Sequence, residues 1–199
     1  MAVTWKKQLV MGGVSAALML SASSVWAGWK LDSTHSSVGF SSVKNDSVME
    51  QHGFRNLSGS ISDSGDVSLS IDLTSVDTKI QIRDERMKKE LFNTEEYPLT
   101  TVEAKVDGEA ISGLSAGQTL VQDVEFKLDL HGKEEALNAK VQVTGLDGGG
   151  LLVSTISPVE VQAGTFGLDT GVGKLKDIAK LNSILLTVPV NANLVFIAE

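Results

Sequence analysis

Apolar and polar side chains alternate along most of the chain beyond residue 28, and this alternation constrains the fold more than any other feature. In segment 120–130 the even positions are Leu, Gln, Val, Phe, Leu and Leu, and the odd positions from 123 on are Asp, Glu, Lys and Asp. Segments 36–44, 67–73 and 137–143 alternate in the same way. A strand with one apolar and one polar face belongs to an antiparallel sheet that is dry on one side and wet on the other.

Short segments rich in Gly, Ser and Asp separate roughly eight such strands. They lie at residues 62–65, 107–108, 113–117 and 147–150. Gly and Asp tolerate the positive φ that hairpin loops need. The chain therefore predicts an all-β fold, either a sandwich or an up-and-down barrel.

Two charged segments break the alternation and predict short helices. In Thr78–Phe92, Ile80, Met87 and Leu91 recur at helical spacing, and Asp77 or Thr78 is a candidate cap. Lys174–Leu181 predicts a second helix.

The amino terminus has the pattern of a secretory signal peptide. Two lysines precede an apolar stretch of about 12 residues, which is short of the roughly 20 needed to span a bilayer. Val25 and Ala27 then suit cleavage after Ala27, so residues 1–27 form the predicted leader and residues 28–199 the mature domain. The expected destination is the periplasm, without stable membrane insertion.

Composition narrows the function classes. The chain has no Cys, so burial of a core must stabilise the exported domain without disulfides. Residues 28–199 carry 15 basic and 25 acidic side chains, a balance that excludes a nucleic-acid-binding surface.

Catalytic and metal-binding patterns are weak. His35, His52 and His131 do not lie at the spacing of a local metal pair, so no metal and no cofactor is expected. The chain has no Gly-x-Ser-x-Gly elbow, and segment 171–174 fails the spacing of a phosphate loop. We expect no catalytic residues.

The inward faces of the strands could line either a packed core or a cavity. An eight-stranded barrel is just wide enough to hold one small ligand, although a packed core is the commoner outcome. Arg83 or Arg86, in a charge cluster that a solvated helix face would also explain, could reach over the barrel mouth to a polar head group. The predicted lining residues are Val38, Phe40, Phe54, Leu69, Ile71, Leu73, Phe126, Leu128, Val141 and Val143.

Four motifs lie in order along the chain: W-x-L-D-x-x-H-S-x-V-x-F in 29–40, S-V-D-T with R-D in 75–84, L-F-N with Y-P in 91–98, and F-G-L in 166–168. Together they resemble the pattern of the YceI-like family of exported polyisoprenoid-binding proteins. In two positions this chain departs from the family pattern: Asn45 replaces a common His, and Glu replaces the usual Pro in segment 124–135.

The resemblance implies an extended, lipocalin-like antiparallel barrel that holds an isoprenoid lipid, such as a quinone or a polyprenyl phosphate, and in many members forms a homodimer. Two alternatives remain open. One is a stress-associated structural or protein-interaction barrel with a filled core. The other is an isoprenoid-modifying enzyme, for which His35 is the candidate residue.

Overall fold

The computed structural model describes Met1 and residues 28–199, so the predicted signal peptide lies, apart from Met1, outside the described residues. The described chain is mostly β-structure and forms one antiparallel sheet. Its strands are β1 (Gly28–Leu31), β2 (Ser37–Lys44), β3 (Val48–Phe54), β4 (Leu57–Ser62), β5 (Asp66–Asp72), β6 (Val76–Asp77), β7 (Leu99–Lys105), β8 (Thr119–Leu130), β9 (Lys133–Gly145), β10 (Leu151–Thr155), β11 (Val159–Gln162) and β12 (Thr187–Ala198).

The sheet closes on itself because β12 pairs with β1 as well as with β10. Neighbouring strands follow the order β1-β4-β5-β7-β8-β9-β10-β12, and Trp29 lies opposite Ala198 where the ring closes. The other four strands, β2, β3, β6 and β11, extend strands of this ring and add no new position to it. Residues 187–190 of β12 pair with β11 and residues 190–193 with β2, whereas residues 196–198 pair with β1.

The twelve strands therefore occupy eight positions around the barrel, which we call staves. A stave made of two strands is kinked where the first strand ends and the second begins. β1 continues into β2, β4 follows β3, β6 extends β5, and β11 extends β10. This closed, eight-stranded antiparallel barrel confirms the predicted fold class and removes the sandwich alternative. Because β1 and β12 pair, the ring of eight has no terminal strand.

Within residues 28–199, three short helices lie against the barrel, one more than the sequence predicts. They are α1 (Gln81–Arg86), which runs on as a π-helical segment (Met87–Phe92), α2 (Gly108–Ser112) and α3 (Asp169–Ile178). α2 is the unpredicted one, because Asp107 accepts a hydrogen bond from the amide of Ala110 and begins a helix where a hairpin turn was expected. α3 begins five residues before the predicted Lys174 and includes the glycine-rich segment 171–174.

The predicted cap of α1 was wrong in its detail. Ile80 holds the N-cap position and makes no side-chain cap bond. Thr78 donates instead to the buried Asp84, from its amide at 2.8 Å and from its hydroxyl at 2.6 Å. The Asp84 carboxylate thus pins the start of the helix to the strand before it.

Buried side chains form two apolar clusters, one toward each end of the barrel. The first surrounds Trp29, Ile111 and Phe196, and the second surrounds Leu73, Phe92 and Phe166. α2 closes the first end through Ile111, which is 2% exposed. α1, the π-helical segment and α3 cover the other end, and we call these three elements the helical cap.

Candidate functional site

The barrel encloses an apolar cavity of about 290 Å³ between its two ends. Of its 36 lining residues only Thr100, Gln122 and Thr155 are polar, and none of these 36 has an ionisable side chain. All ten residues that the alternation predicts to face inward lie on the cavity wall: Val38, Phe40, Phe54, Leu69, Ile71, Leu73, Phe126, Leu128, Val141 and Val143.

The cavity exists because the inward side chains are small for the barrel they line. Thirteen of the lining residues are valines and four are alanines, while five are phenylalanines. Short β-branched side chains favour strands but do not reach the axis of an eight-stranded barrel. The packed core that residue types alone favoured is therefore not what the structure has.

The helical cap supplies part of the wall. Leu91 and Phe92 of the π-helical segment and Val172 of α3 face the cavity. The two helical elements approach closely at Gly171, where an added Cβ would lie 2.6 Å from the carbonyl oxygen of Glu90. Glycine is required there because of this backbone contact, and the only sequence sign of it is a motif that fails the spacing of a phosphate loop.

The inward faces of β2 and β3 become polar just beyond the cavity, next to the helical cap. Phe40 lies on the cavity wall and packs on His52, which is opposite it in the strand pair, with ring centroids 5.2 Å apart. Further along the same face, Ser42 lies opposite Glu50. We call Ser42, Lys44, Glu50, His52 and Arg83 the polar cluster.

Short contacts hold the polar cluster together. Glu50 accepts from Lys44 at 2.8 Å and from Arg83 at 2.9 Å, and Arg83 also donates to the carbonyl oxygen of Thr78 at 2.7 Å. His52 Nε2 lies 2.9 Å from the hydroxyl of Ser42. Two buried atoms in this cluster, His52 Nδ1 and Arg83 Nε, have no hydrogen-bond partner.

Burial and charge set the protonation states in this cluster. The hydrogen bond from Lys44, reinforced by Arg83, lowers the pKa of Glu50 against the opposing effect of burial. Burial lowers the pKa of His52, and repulsion from Arg83 lowers it further. The cluster therefore joins a neutral imidazole to a carboxylate that bridges two cations.

The two head-group candidates lie in different surroundings. Arg83 belongs to the polar cluster and is partly buried, whereas Arg86 is exposed on α1, and neither lines the cavity. No sequence motif marks Ser42, Lys44, Glu50 and His52 as a group. Their shared parity with Phe40 and Phe54 was the available signal, but only the strand register brings them together.

His35 has a structural role at the surface rather than a place in the cavity. Its side chain is 72% exposed and its Nδ1 lies 2.7 Å from Asp32 Oδ2. Asp32 also accepts from the amide of Thr34, so the D-x-x-H part of the first motif holds the kink between β1 and β2. The indole of Trp29 donates to the carbonyl oxygen of Gly149 at 2.8 Å and anchors the same region.

Other chemistry has little support in the part of the chain that the structure describes. No group of three or more His, Asp or Glu side chains there is arranged to hold a metal ion. Within residues 28–199, none of the helices has the length and apolarity that crossing a bilayer requires.

Comparisons with known proteins agree with this architecture. A polyisoprenoid binding domain from Saccharophagus degradans, implicated in plant cell wall breakdown, is 38% identical, and the match covers 86% of this chain and 98% of that one at a TM-score of 0.84. BcnA from Burkholderia cenocepacia is 20% identical over 83% of this chain and 98% of its own, with a TM-score of 0.64, and so supports the fold alone. No curated protein matches the chain. The sequence model of the YceI-like domain matches residues 29–196, nearly the whole barrel, and the chain therefore belongs to the YceI-like family.

Proposed function

We propose that this protein binds an isoprenoid lipid in the barrel cavity and carries it in the periplasm. The observation that carries the proposal is the cavity wall, of which 33 of 36 residues are apolar and none is ionisable. The 38% identical Saccharophagus degradans domain is a polyisoprenoid binding domain, which supports the same class of ligand here.

The energetics of such a wall favour a hydrocarbon chain. Removing apolar surface from water stabilises a complex by about 25 cal/mol per Å². A cavity with so few polar partners offers little to a polar ligand, because a buried polar group without a partner costs free energy. A quinone or a polyprenyl phosphate meets both conditions, since most of its length is hydrocarbon.

The polar end of the ligand would lie at the polar cluster, and Arg83 is the better of the two head-group candidates. Its Nε is buried without a partner, and it bonds to Glu50 close to His52, which packs on the cavity-wall residue Phe40. A phosphate or quinone oxygen could compete with Glu50 for this guanidinium. Arg86 is exposed and lacks that position.

Binding is a better proposal than catalysis. Hydrolysis or isomerisation of an isoprenoid needs an acid or a base within reach of the reacting bond, and the described cavity wall has neither along the hydrocarbon chain. His35, the residue that the sequence suggests for an enzyme, is exposed outside the barrel, and the acid and base nearest the proposed head group are Glu50 and His52 in the polar cluster. Unchanged turnover of an isoprenoid substrate in both His35→Ala and His52→Gln would remove the enzyme alternative.

The direct test is organic extraction of the protein, purified from its native host without detergent, followed by mass spectrometry. We expect a stoichiometric series of masses that differ by isoprene units, together with the mass of the head group. A clean extract from well-folded protein would contradict the proposal and favour a structural or protein-interaction role. The same preparation reports the mass of the amino terminus and the oligomeric state, which test export with cleavage after Ala27 and the expected homodimer.

A matched pair of variants on β9 tests the position of the ligand. Ala139 faces the cavity, whereas Ala136 is on the outer face of the same strand. We expect Ala139→Phe to reduce lipid retention by roughly 5- to 150-fold, because forced overpacking costs about 1–3 kcal/mol. Ala136→Phe should retain the wild-type amount, and equal retention in both variants would place the ligand elsewhere.

A further inference from the structure

Several large apolar side chains are exposed at one end of the molecule. They belong to the β2–β3 hairpin, the start of α1, the end of α3 and the segment before β12. Their exposed fractions run from 42% to 62%. We call this set the apolar rim: Met49, Ile80, Ile82, Ile178, Leu185 and Leu186.

The contacts of these segments make the rim one surface. Met49 pairs with Val43 in the hairpin, and the amide of Leu185 donates to the carbonyl oxygen of Val43 at 3.0 Å. The ion pair from Arg83 to Glu50 ties the start of α1 to the strand that carries Met49. The amide of Leu181 donates to Lys176, so the end of α3 leads directly into the segment before β12.

Charge distinguishes this end from the rest of the molecule. Segments 78–92 and 169–182, which contain the helical cap, carry eight basic and five acidic side chains. The remainder of residues 28–199 carries seven basic and twenty acidic side chains. The cap segments therefore carry a net charge of +3 (8 − 5), whereas the rest of residues 28–199 carries −13 (7 − 20), and the exposed apolar rim lies on and beside these positive segments.

We propose that the apolar rim docks on the surface of an anionic lipid bilayer. Exposed apolar side chains beside lysines and arginines are the two elements of peripheral membrane binding, because the first enter the head-group layer and the second attract anionic lipids. The acidic remainder of the barrel is repelled by the same surface, so the field orients the cap toward the membrane. Two copies that met through this end would bring like charges together, which argues against self-association there.

This docking also relates the surface to the cavity. Leu91, Phe92 and Val172 belong to the helical cap and line the cavity wall from that end. At this end the helical cap, and not the sheet, closes the cavity. A barrel docked through the rim therefore turns this end toward the bilayer.

Vesicle co-sedimentation tests the proposal on purified protein whose amino terminus has been identified by mass spectrometry. The vesicles are phosphatidylcholine alone or phosphatidylcholine with about one-third phosphatidylglycerol. We expect binding to the anionic vesicles only. Raising the ionic strength from about 0.1 M to about 1 M shortens the Debye length from about 10 Å to about 3 Å and should release the protein.

A matched pair of isoleucines provides the control for the apolar contribution. Ile82 on the rim is 53% exposed, and Ile197, at the opposite end of the barrel on β12, is 51% exposed. Ile82→Ser should weaken vesicle binding by about tenfold, because it removes one inserted side chain. Ile197→Ser should bind as the wild type does.

Charge reversal at the cap tests the electrostatic part. The double variant Arg86→Glu, Lys89→Glu should lose binding to anionic vesicles, since each basic side chain near the surface strengthens binding by about fivefold and each reversal also adds repulsion. Circular dichroism of Ile82→Ser and of the double variant checks that each keeps the folded barrel.

Three results would overturn the proposal. They are binding to neither kind of vesicle, equal binding to both kinds, and equal effects of Ile82→Ser and Ile197→Ser. If sedimentation instead shows a dimer that Ile82→Ser dissociates, the rim is an interface between two copies and not a membrane surface. Extraction measures lipid retention by the cavity separately. A negative vesicle assay would therefore overturn the docking proposal without bearing on the proposed lipid binding.

Discussion

Trp29, Asp32 and His35, which belong to the first sequence motif, make side-chain contacts that hold the kink between β1 and β2 and the start of the barrel. His52 belongs to no motif, yet it is the buried histidine at the margin of the cavity, with Nδ1 unpartnered. The charged groups around it are Arg83 and Lys44, which disfavour the imidazolium, and Glu50 and Asp84, which favour it.

At the residue scale we predict a pH dependence that comes from His52. Its pKa is lowered in the folded protein by burial, so the unfolded chain takes up a proton first as pH falls through 6.5. The contribution of neutral His52 to stability is therefore complete above that pH and is lost progressively below it. Urea unfolding at a series of pH values from 7.5 downward measures the slope of the unfolding free energy against pH.

His52→Gln should flatten the slope, because glutamine can still bond to Ser42 but does not titrate. Gln51→Ala, at the exposed neighbour on the same strand, should leave it intact. NMR titration of the imidazole gives an independent check. A folded-state pKa at or above 6.5 would be incompatible with the prediction.

At the scale of elements, the kinked staves and the helical cap convert a regular barrel into a container with distinct ends. β12 is long enough to pair with β10 and β1 at one end and with β11 and β2 at the other. Segment 78–92, which follows β6 and precedes β7, and segment 163–186, which joins β11 to β12, leave the sheet and cross the end of the barrel. α3 can lie against the π-helical segment only because Gly171 has no side chain.

At this scale we predict that Gly171→Ala loosens the helical cap. Its Cβ would lie 2.6 Å from the carbonyl oxygen of Glu90 and 2.9 Å from Cα of Leu91, both backbone atoms that cannot rotate away. We expect a loss of about 1–3 kcal/mol in unfolding free energy, typical of overpacking, and faster loss of bound lipid. Chemical denaturation and timed extraction measure the two effects.

Gly173, two residues away on α3, provides the control. A Cβ there would meet nothing within 4 Å, so Gly173→Ala should be neutral or stabilising by about 0.5–1 kcal/mol. If the two alanine variants are equally stable, the close contact at Gly171 does not hold the cap.

At the scale of the whole molecule, the barrel buries apolar side chains without filling its own interior. The unfilled space of about 290 Å³ means that the empty protein lacks contacts that a ligand can supply. A ligand that binds only the folded barrel must then stabilise it by mass action.

We therefore predict that removing the lipid lowers the thermal midpoint. At a free lipid concentration of 100 Kd the stabilisation is about 2.7 kcal/mol, which for a domain of this size corresponds to roughly 5–10 °C. Thermal unfolding of lipid-loaded and lipid-free protein, followed by circular dichroism, measures the shift. Ala139→Phe should show almost none, and a wild-type protein indifferent to the lipid would argue against binding in the cavity.

The alternation of apolar and polar residues is enough to predict which face of each strand points inward. Successive side chains on a strand alternate between its two faces, so the apolar parity of segments such as 120–130 and 137–143 fixed their orientation before any pairing was known. The ten predicted lining residues follow from that local rule. The family motifs, which lie in order along nearly the whole chain, added the barrel topology.

Features that depend on contacts between distant segments could not be predicted from the local pattern. Whether the interior was filled depended on barrel closure and on the summed size of side chains from all staves. Ser42, Glu50, His52 and Arg83 became one cluster through strand register and the docking of α1, and Gly171 acquired its role from a contact with Glu90 some 80 positions earlier in the chain. Local pattern encodes the direction of a side chain, whereas its neighbours across space are set by the closure and packing of the whole barrel.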